Sequence, residues 1–400
     1  MAADVLASAG VAVTVYEHMP SVGRKLLLAG RSGLNLTHSE PVDDVLARYG
    51  PAADRLEAAI RAFGPQEVRS WCESLGQPTF VGSSGRVFPT SMRATPLLRA
   101  WLARLAQLGV DIEVRARWLG WKTTTDDRHD ALLFSRSGGA IIEVTSDVSV
   151  FALGGASWPR VGSDGGWVAA FRQAGAQVNE LRAANCGILV DWTDHFSARF
   201  AGVPLKNVAI TVDETSVRGD AMVTCDGLEG GPVYAHSAAI REAIDRRGRC
   251  TVTIDLHPDL TIEQVAERLE RRRPKDSLTT SLRHTIDLTP ASISLLREVT
   301  GNRVPKGSDE LAKLVKAVPV IIESTMPIER AISSAGGIAL DEVDDAFMLR
   351  RLPGTFVAGE MLDWEAPTGG YLLQASFSTA VAAARGAIAW LTLISHRRGS

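Results

Sequence analysis

The residues able to do chemistry in this chain are acids, cations and paired glycines at the ends of hydrophobic runs. Glu17 follows the β-rich run Val11–Tyr16, which comes after a short apolar helix ended by Gly10. Helix, glycine, buried strand and terminal acid make the second half of a dinucleotide-binding βαβ unit, whose acid accepts hydrogen bonds from a ribose diol. Taken alone, Glu17 is equally compatible with the end of an unrelated strand. The glycine fingerprint of such a unit precedes the acid by roughly 20 positions, and counting back from Glu17 runs off the chain. Losing the first strand would leave buried backbone groups unpaired, at about 1–3 kcal/mol each. The expectation is therefore a product that starts upstream, with Met1 an internal methionine.

Two further stretches carry the same kind of chemistry. From Gly23 to Asn35, glycines at 23, 30 and 33 alternate with Arg24, Lys25 and Arg31. This composition suits a loop that lays backbone N–H groups and cations against phosphates. Near the C-terminus, the strand Gly354–Ala358 runs into Gly359-Glu360, and Pro367-Thr368-Gly369-Gly370-Tyr371-Leu372-Leu373-Gln374 opens an Ala-rich helix reaching about Leu393. A helix start with two glycines exposes unpaired N–H groups and the positive end of the macrodipole. It suits the electron-rich edge of a reduced flavin and, on these grounds alone, a phosphate equally well.

The elements that must position these residues follow from periodicity and punctuation. A helix is expected from Pro65 to Gly76 and another along Leu97–Leu108. Strands are expected at Asp111–Ala116, Ala131–Ser135, Ile141–Thr145 and Val148–Leu153. The last ends in Gly154-Gly155, a bare backbone brought close to a ligand or another segment. Ser163 or Asp164 is expected to cap the helix that bears Trp167 and Phe171. From about Gly187 the texture turns to strands without long helices, then to helices, with a capping box at Thr261–Gln264. The implied organisation is a domain of residues 1–186 and 334–400, interrupted by a substrate-side insertion at 187–333, β-rich over 187–258 and helical over 259–325.

Bulk properties agree with a folded globular protein. Of 400 residues, 45% are hydrophobic and 22% charged, with a formal net charge of -3, so neither disorder nor nucleic acid as a partner is favoured. The cluster Arg271-Arg272-Arg273 reads as a solvated helix end. Cys72, Cys186, Cys225 and Cys250 form no C-x-x-C pair, so no metal is expected and buried, inert thiols are. The first residues lack a basic n-region, and the apolar C-terminal stretch is broken by Gln374 and Arg385. A buried helix, no membrane span and a cytoplasmic location are the expectations.

Taken together, Glu17, the stretch Gly23–Thr37, Ala152–Pro159, Ser334-Ala335-Gly336-Gly337 and Ala358–Tyr371 resemble the BaiN-like flavoproteins, the aminoacetone-oxidase-type FAD-binding proteins. The likeness spans nearly the whole chain. It implies an α/β fold: a Rossmann-like FAD-binding domain with a three-layer sheet, interrupted by a β-rich and helical insertion. It implies FAD as cofactor, with Glu17 on the adenosine ribose and Arg24, Lys25, Gly30, Arg31 and Asn35 beside the cofactor. Gly359 and Glu360 would approach the ribityl-pyrophosphate portion, and Gly154, Gly155 and Asp363 would also bind the cofactor. Gly369, Gly370, Tyr371, Leu372 and Gln374 would face the ring. The family's usual cysteine is replaced in Gly33-Leu34-Asn35, which excludes thiol chemistry there. Its common histidine in the inserted loop is absent near Thr224-Cys225, so the chain is a divergent branch.

The activity this implies is an FAD-dependent oxidoreductase that reduces or dehydrogenates a small organic substrate. NAD(P)H would bind transiently as electron donor, since only one nucleotide fingerprint region is visible. An oxygen-using amine oxidase and a non-catalytic flavin-binding protein or fragment are the alternatives. Tyr371, Trp364, Asp363 and Trp158 are candidates near the ring by adjacency. Packing is the expected role of Trp158 and Trp364, and a turn or cap that of Asp363. His236 and His257 lack a paired carboxylate, and no catalytic acid or base is identified.

Overall fold

The computed structural model describes residues 1–31, 33–123, 129–273 and 275–399. Ser32 of the glycine-rich stretch and Pro274 beside the basic cluster lie outside them. The chain divides into two compact units, one of Met1–Arg182 with Ser333–Ser400, the other of Ala183–Ile332.

The first unit holds two parallel strand pairs. Thr14–Glu17 runs beside Asp111–Val114, and Ser149–Phe151 beside Thr355–Val357. Arg115 adopts φ 55° and ends the first of these, so the run read as Asp111–Ala116 is two strands. The second, Ala116–Thr123, pairs antiparallel with His129–Arg136, which pairs with Ile141–Val144. This meander packs its Trp118 and Trp121 onto Phe151 and Phe171, with ring centroids 4.8–5.6 Å apart. A small antiparallel sheet orders Thr37–His38, Arg86–Pro89 and Thr79–Val81.

Helices cover these strands. Pro65–Ser74 begins at proline as expected, and Glu67 Oε2 reaches back to accept from Gly64 N at 2.9 Å. Arg24–Ala29 is helical where the sequence reads as loop. Val42–Ala47 and Ala53–Ala62 carry no side-chain cap hydrogen bond and are not marked in the sequence. The helix after Trp167 has no side-chain cap either, so neither Ser163 nor Asp164 caps it. Ser163 turns to Lys25, and Asp164 accepts from Gly166 N at 3.0 Å and from Arg117.

Through the middle runs the C-terminal helix, Tyr371–Gly399. Its small residues Ala375, Ala380, Ala383, Ala384 and Ala387 are buried, which lets neighbouring elements approach closely. Its span Tyr371–Arg397 is long and apolar enough to cross a membrane by length and composition, and 44% of its 18-residue apolar window is buried inside the protein. Ser378 and Thr379 are buried and return hydrogen bonds to the preceding turn at 2.7–2.8 Å, so the helix holds its own polar side chains.

The second unit is a seven-stranded sheet, with helices at Ile262–Glu270, Leu278–Ile286, Pro290–Val299 and Ser308–Lys316. Its centre is antiparallel, Pro204–Val212 lying between Thr215–Val223 and Cys250–Asp255. The Thr261 capping box forms, with bonds of 3.0 and 3.2 Å. His236 is buried and contacts Ile210 O at 2.9 Å, a structural role. Cys72, Cys186 and Cys250 are buried. Cys225, expected to be buried, is exposed on its loop.

Candidate functional site

Most of the residues singled out in the sequence meet in the first unit, around two clusters of polar side chains. The first centres on Lys25. Gly23, at φ 71°, turns the chain into the Arg24–Ala29 helix and starts Lys25 in its first turn. From there Nζ donates to Glu360 Oε2 at 2.7 Å, Ser157 Oγ at 2.8 Å and Ser163 Oγ at 3.3 Å. Glu360 in turn accepts Ser334 N at 2.8 Å on Oε1 and Gly155 N at 3.4 Å on Oε2. Ala156 N donates to Ser334 Oγ at 2.8 Å. Gly155 leaves room for this: a Cβ there would sit 2.3 Å from Ser334 Oγ. Three positions scattered over the sequence, Lys25, Gly155 and Ser334, thus converge on one carboxylate.

Glu17 lies at the end of its strand and accepts Met19 N at 2.8 Å, with His18 Nδ1 at 3.4 Å. Gly162, in the loop after Gly155, approaches the same turn: a Cβ there would meet Met19 Cγ at 3.0 Å. That loop contains Trp158, which sits in the left-handed region at φ 61° and is 37% exposed, so the packing role expected of it is not what it does.

The second cluster gathers at the start of the C-terminal helix. The first bond of the helix runs from Gln374 N to Gly370 O at 3.0 Å, so the N–H groups of Gly370, Tyr371 and Leu372 stand ahead of the ladder. Gly370 presses against the backbone of Thr37, where a Cβ would fall 2.5 Å from its carbonyl. Gln374 is fully buried. It accepts Thr37 Oγ1 at 2.6 Å and donates to Phe63 O and Ser378 Oγ at 2.8 and 2.9 Å, so the fold engages both ends of its amide. The Tyr371 ring stacks on His38 with centroids 5.4 Å apart.

Beside that ring, Arg48 holds Glu40 through two bonds of 3.1 and 2.9 Å and lies 5.7 Å from the ring centroid. Burial, helped by the hydrogen bond to the Glu40 carboxylate, pushes the Tyr371 phenol well above its ordinary range. Burial also pushes the Glu40 carboxyl up, but the hydrogen bonds from Arg48 and Tyr371 outweigh it and hold the acid below its ordinary value.

The two clusters share one frame. Trp364, buried as expected of a packing residue, donates Nε1 to Gly359 O at 2.9 Å and meets Tyr49 edge to face at 5.8 Å. Tyr49 donates its hydroxyl to Tyr371 O at 2.8 Å. Gly359 N is held by Thr379 Oγ1 of the C-terminal helix at 3.0 Å. Asp363 accepts Asn179 Nδ2 at 2.6 Å and is tied to the strand Ser333–Ile338 through its N–H. Gly30 packs against Ala94, and Arg31 is exposed. Gly154 is fixed by Trp167 Nε1, which donates to its carbonyl at 2.8 Å.

Sequence reasoning missed Ser157, Ser163 and Ser334 as partners of Lys25 and Glu360, and His38, Glu40 and Arg48 as neighbours of Tyr371. The serines adjoin paired glycines, a signal that was available. The other three follow no pattern.

These residues fit an FAD. Asn35 Oδ1 and Arg24 Nε are buried with no hydrogen-bond partner among the described residues, and buried polar atoms of that kind are ordinarily satisfied. Both flank the glycine-rich stretch. The bare helix start at Gly370 offers oriented N–H groups to an electron-rich edge. Lys25 and Glu360 together offer a cation and an acceptor, the donor set that a diphosphate and a polyol require.

A family model described as the HI0933-like protein Rossmann domain matches residues 1–386. The chain is 26% identical over 396 residues to the 3-dehydro-bile acid delta(4,6)-reductase of Clostridium scindens, covering 94% of this chain and 92% of that protein. Among solved structures, the fold is similar to a 3-ketosteroid delta1-dehydrogenase from Sterolibacterium denitrificans, with a TM-score of 0.53 at 13% identity over 97% of each chain. It is also similar to a quinol fumarate reductase FrdA from E. coli, with a TM-score of 0.50 at 13% identity over 97% of this chain and 68% of that one. The Rossmann-like architecture expected from the sequence is thus the fold, and the chain belongs to the HI0933-like family of Rossmann-domain flavoproteins, FAD-dependent oxidoreductases.

Proposed function

We propose that this FAD-dependent oxidoreductase reduces a carbon–carbon double bond conjugated to a ketone in an apolar, fused-ring substrate, with NAD(P)H as electron donor. The observation that carries the reading is the full-length likeness to a protein named as a bile acid reductase. The site described above supports it, because its charged groups are arranged for a cofactor and not for hydrolysis.

When bound, FAD supplies the two-electron exchange between donor and substrate, which no side chain here can perform. The chain's own residues bind and orient. Glu17 would hold the ribose, and Lys25 with Arg24 the phosphates. Glu360, held in place by Ser334 N and Lys25, would take the polyol. The N–H groups at Gly370, Tyr371 and Leu372, with Asn35, would hold the ring. Tyr371 keeps its proton at neutral pH, since burial and Glu40 both disfavour the phenolate.

The test is anaerobic reduction of the FAD-loaded protein by NADH or NADPH, followed by addition of a 4-en-3-one steroid. Recovery of the oxidised flavin spectrum with formation of the saturated ketone is the expected result. No reoxidation by any enone, together with rapid reoxidation in air and peroxide release after reduction by an amine, would replace this reading with an amine oxidase.

A further inference from the structure

We propose that the open face of the small antiparallel sheet, with Arg86 and Arg93 at its ends and Phe80 and Phe88 between them, binds the adenosine half of NADPH. This rests on the NAD(P)H reading above and gives the donor a place and a preferred form. No acidic residue occurs from Ser74 to Val110, a stretch that carries Arg86, Arg93, Arg99 and Arg104 in a chain of net charge -3. Arg104 is held by Asp4 at 2.8 Å, whereas Arg86, Arg93 and Arg99 have no ion pair among the described residues. Glu40, just past the neighbouring strand Thr37–His38, is already taken by Arg48. Cations left together without acids repel one another, and an anionic ligand removes that cost.

Side chains alternate across a strand, so Arg86 and Phe88 share one side of Arg86–Pro89 while Val87 and Pro89 are buried on the other. Phe80 lies opposite Phe88 in register, and the two rings stack with centroids 5.9 Å apart. Phe80 is 40% and Met92 38% exposed, so this apolar step stands open to solvent. The face is joined to the glycine-rich stretch. Leu34 N donates to Met92 O and Leu36 N to Val87 O, both at 2.9 Å, and a Cβ on Gly33 would meet Met92 Cε at 2.8 Å and Phe88 Cε1 at 3.5 Å. Asn35, with its unpartnered buried Oδ1, lies between those two bonds. The helix Ala94–Gln107 starts beside Arg93 without a side-chain cap and adds the positive end of its dipole.

The adenosine half of NADPH is a planar base flanked by two anions, the 2′-phosphate and the diphosphate. An aromatic pair flanked by guanidinium forks matches it. NADH carries the diphosphate alone. A fused-ring hydrocarbon on the same open face would leave its far side in water, so the donor fits there and the substrate does not.

The experiment uses the FAD-loaded full chain, so that the cofactor's own nucleotide site is filled. Binding of 2′,5′-ADP and 5′-AMP is measured by calorimetry for the wild type, Arg86→Gln, Arg93→Gln, the double variant and Phe80→Ala. The wild type should bind 2′,5′-ADP about 10- to 100-fold more tightly than 5′-AMP, the range for a charged hydrogen bond. In the double variant that ratio should fall below about threefold. Phe80→Ala should weaken both ligands about 10-fold through lost stacking, with Phe80→Leu giving the comparison should the alanine variant not fold. In stopped-flow reduction by NADPH, the double variant should raise the apparent Kd and leave the limiting rate in place.

Equal affinity of the wild type for 2′,5′-ADP and 5′-AMP would overturn the proposal, as would a double variant that keeps the preference. Weaker binding of a steroid carboxylate in the double variant, with 2′,5′-ADP unchanged, would overturn it in favour of a substrate anion. FAD-loaded protein that neither NADH nor NADPH reduces overturns the donor reading, and the proposal with it. Protein that does not load FAD overturns the flavin reading and everything resting on it.

Discussion

Replacing Gly370 by alanine tests whether the bare backbone at the start of the C-terminal helix is required by the fold. Gly370 has φ +100°, and a Cβ there would lie 2.5–2.6 Å from the carbonyl carbon, oxygen and Cα of Thr37. Two costs add. An L-residue held in the left-handed region is destabilised by about 1–2 kcal/mol. Backbone atoms cannot rotate aside as a side chain does, so relieving the contact must shift the helix or the Thr37–His38 strand, at about 1–3 kcal/mol for overpacking. The sum is about 2–5 kcal/mol. Gly109 provides the control, since it has φ +74° and a Cβ there would meet nothing within 4 Å, leaving only the conformational cost of about 1–2 kcal/mol. Urea unfolding of both variants, analysed with a common slope, separates the two contributions. Gly370→Ala should be the less stable by about 1–3 kcal/mol and should also bind flavin more weakly. Equal stability of the two variants would refute the argument that backbone contact at Thr37 requires glycine.

A thiol reagent at mild pH should label Cys225 alone, with Cys72, Cys186 and Cys250 reacting only in denaturant, as quantified by mass spectrometry. Burial, with a smaller contribution from Glu73, pushes the Cys72 thiol from 9.0 up to about 12. Its unfolded form ionises first, so stability is full below pH 9.0, falls between there and about 12, and falls less in Cys72→Val. Glu40 has the opposite sign. Its folded pKa lies below 4.5, so its stabilisation is present above that pH and lost as pH falls through the folded value. Glu40→Gln should flatten the acid limb of a stability-against-pH profile and lower neutral-pH stability by about 1 kcal/mol.

The parts of the fold that could be read from the sequence are those where local chemistry and tertiary structure agree. The acid-ended strand Thr14–Glu17, the proline-started helix at Pro65 and the capping box at Thr261 each carry their cause within a few residues. The two uncapped helices Val42–Ala47 and Ala53–Ala62 carry none. Misplacing the cap at Ser163 has a physical reason: its hydroxyl is taken by Lys25, 138 residues away, and nothing local announces that. Gln374 sits in the motif that suggested ring contact, yet Thr37 and Phe63 engage its amide from more than 300 residues away. Trp158 and Cys225 were judged by residue type, and both lie on exposed loops where type has little hold. For the site, glycine pairs pointed to the segments. The side chains that meet between them follow from how distant segments pack.

Those long separations also govern how the molecule is made. Tyr49 and Tyr371 are 322 residues apart, and a ribosome adding roughly 5–20 residues per second needs tens of seconds to bridge them. Until then the helix at Ala53–Ala62 waits without its main partner, the C-terminal helix. The second unit has no such delay, because its apolar cluster is drawn wholly from Ile188 to Ile322 and can collapse as soon as it emerges. Its collapse shortens the loop that remains. Val178–Ala184 and Ser333–Ile338 are neighbouring strands, so a folded second unit presents its two flanking segments for pairing instead of a long flexible span. Closure entropy rises only by about 0.6 kcal/mol per doubling of loop length, so the saving is in time more than in stability. The unit that begins the chain is therefore completed last, and the inserted one serves as its internal splint.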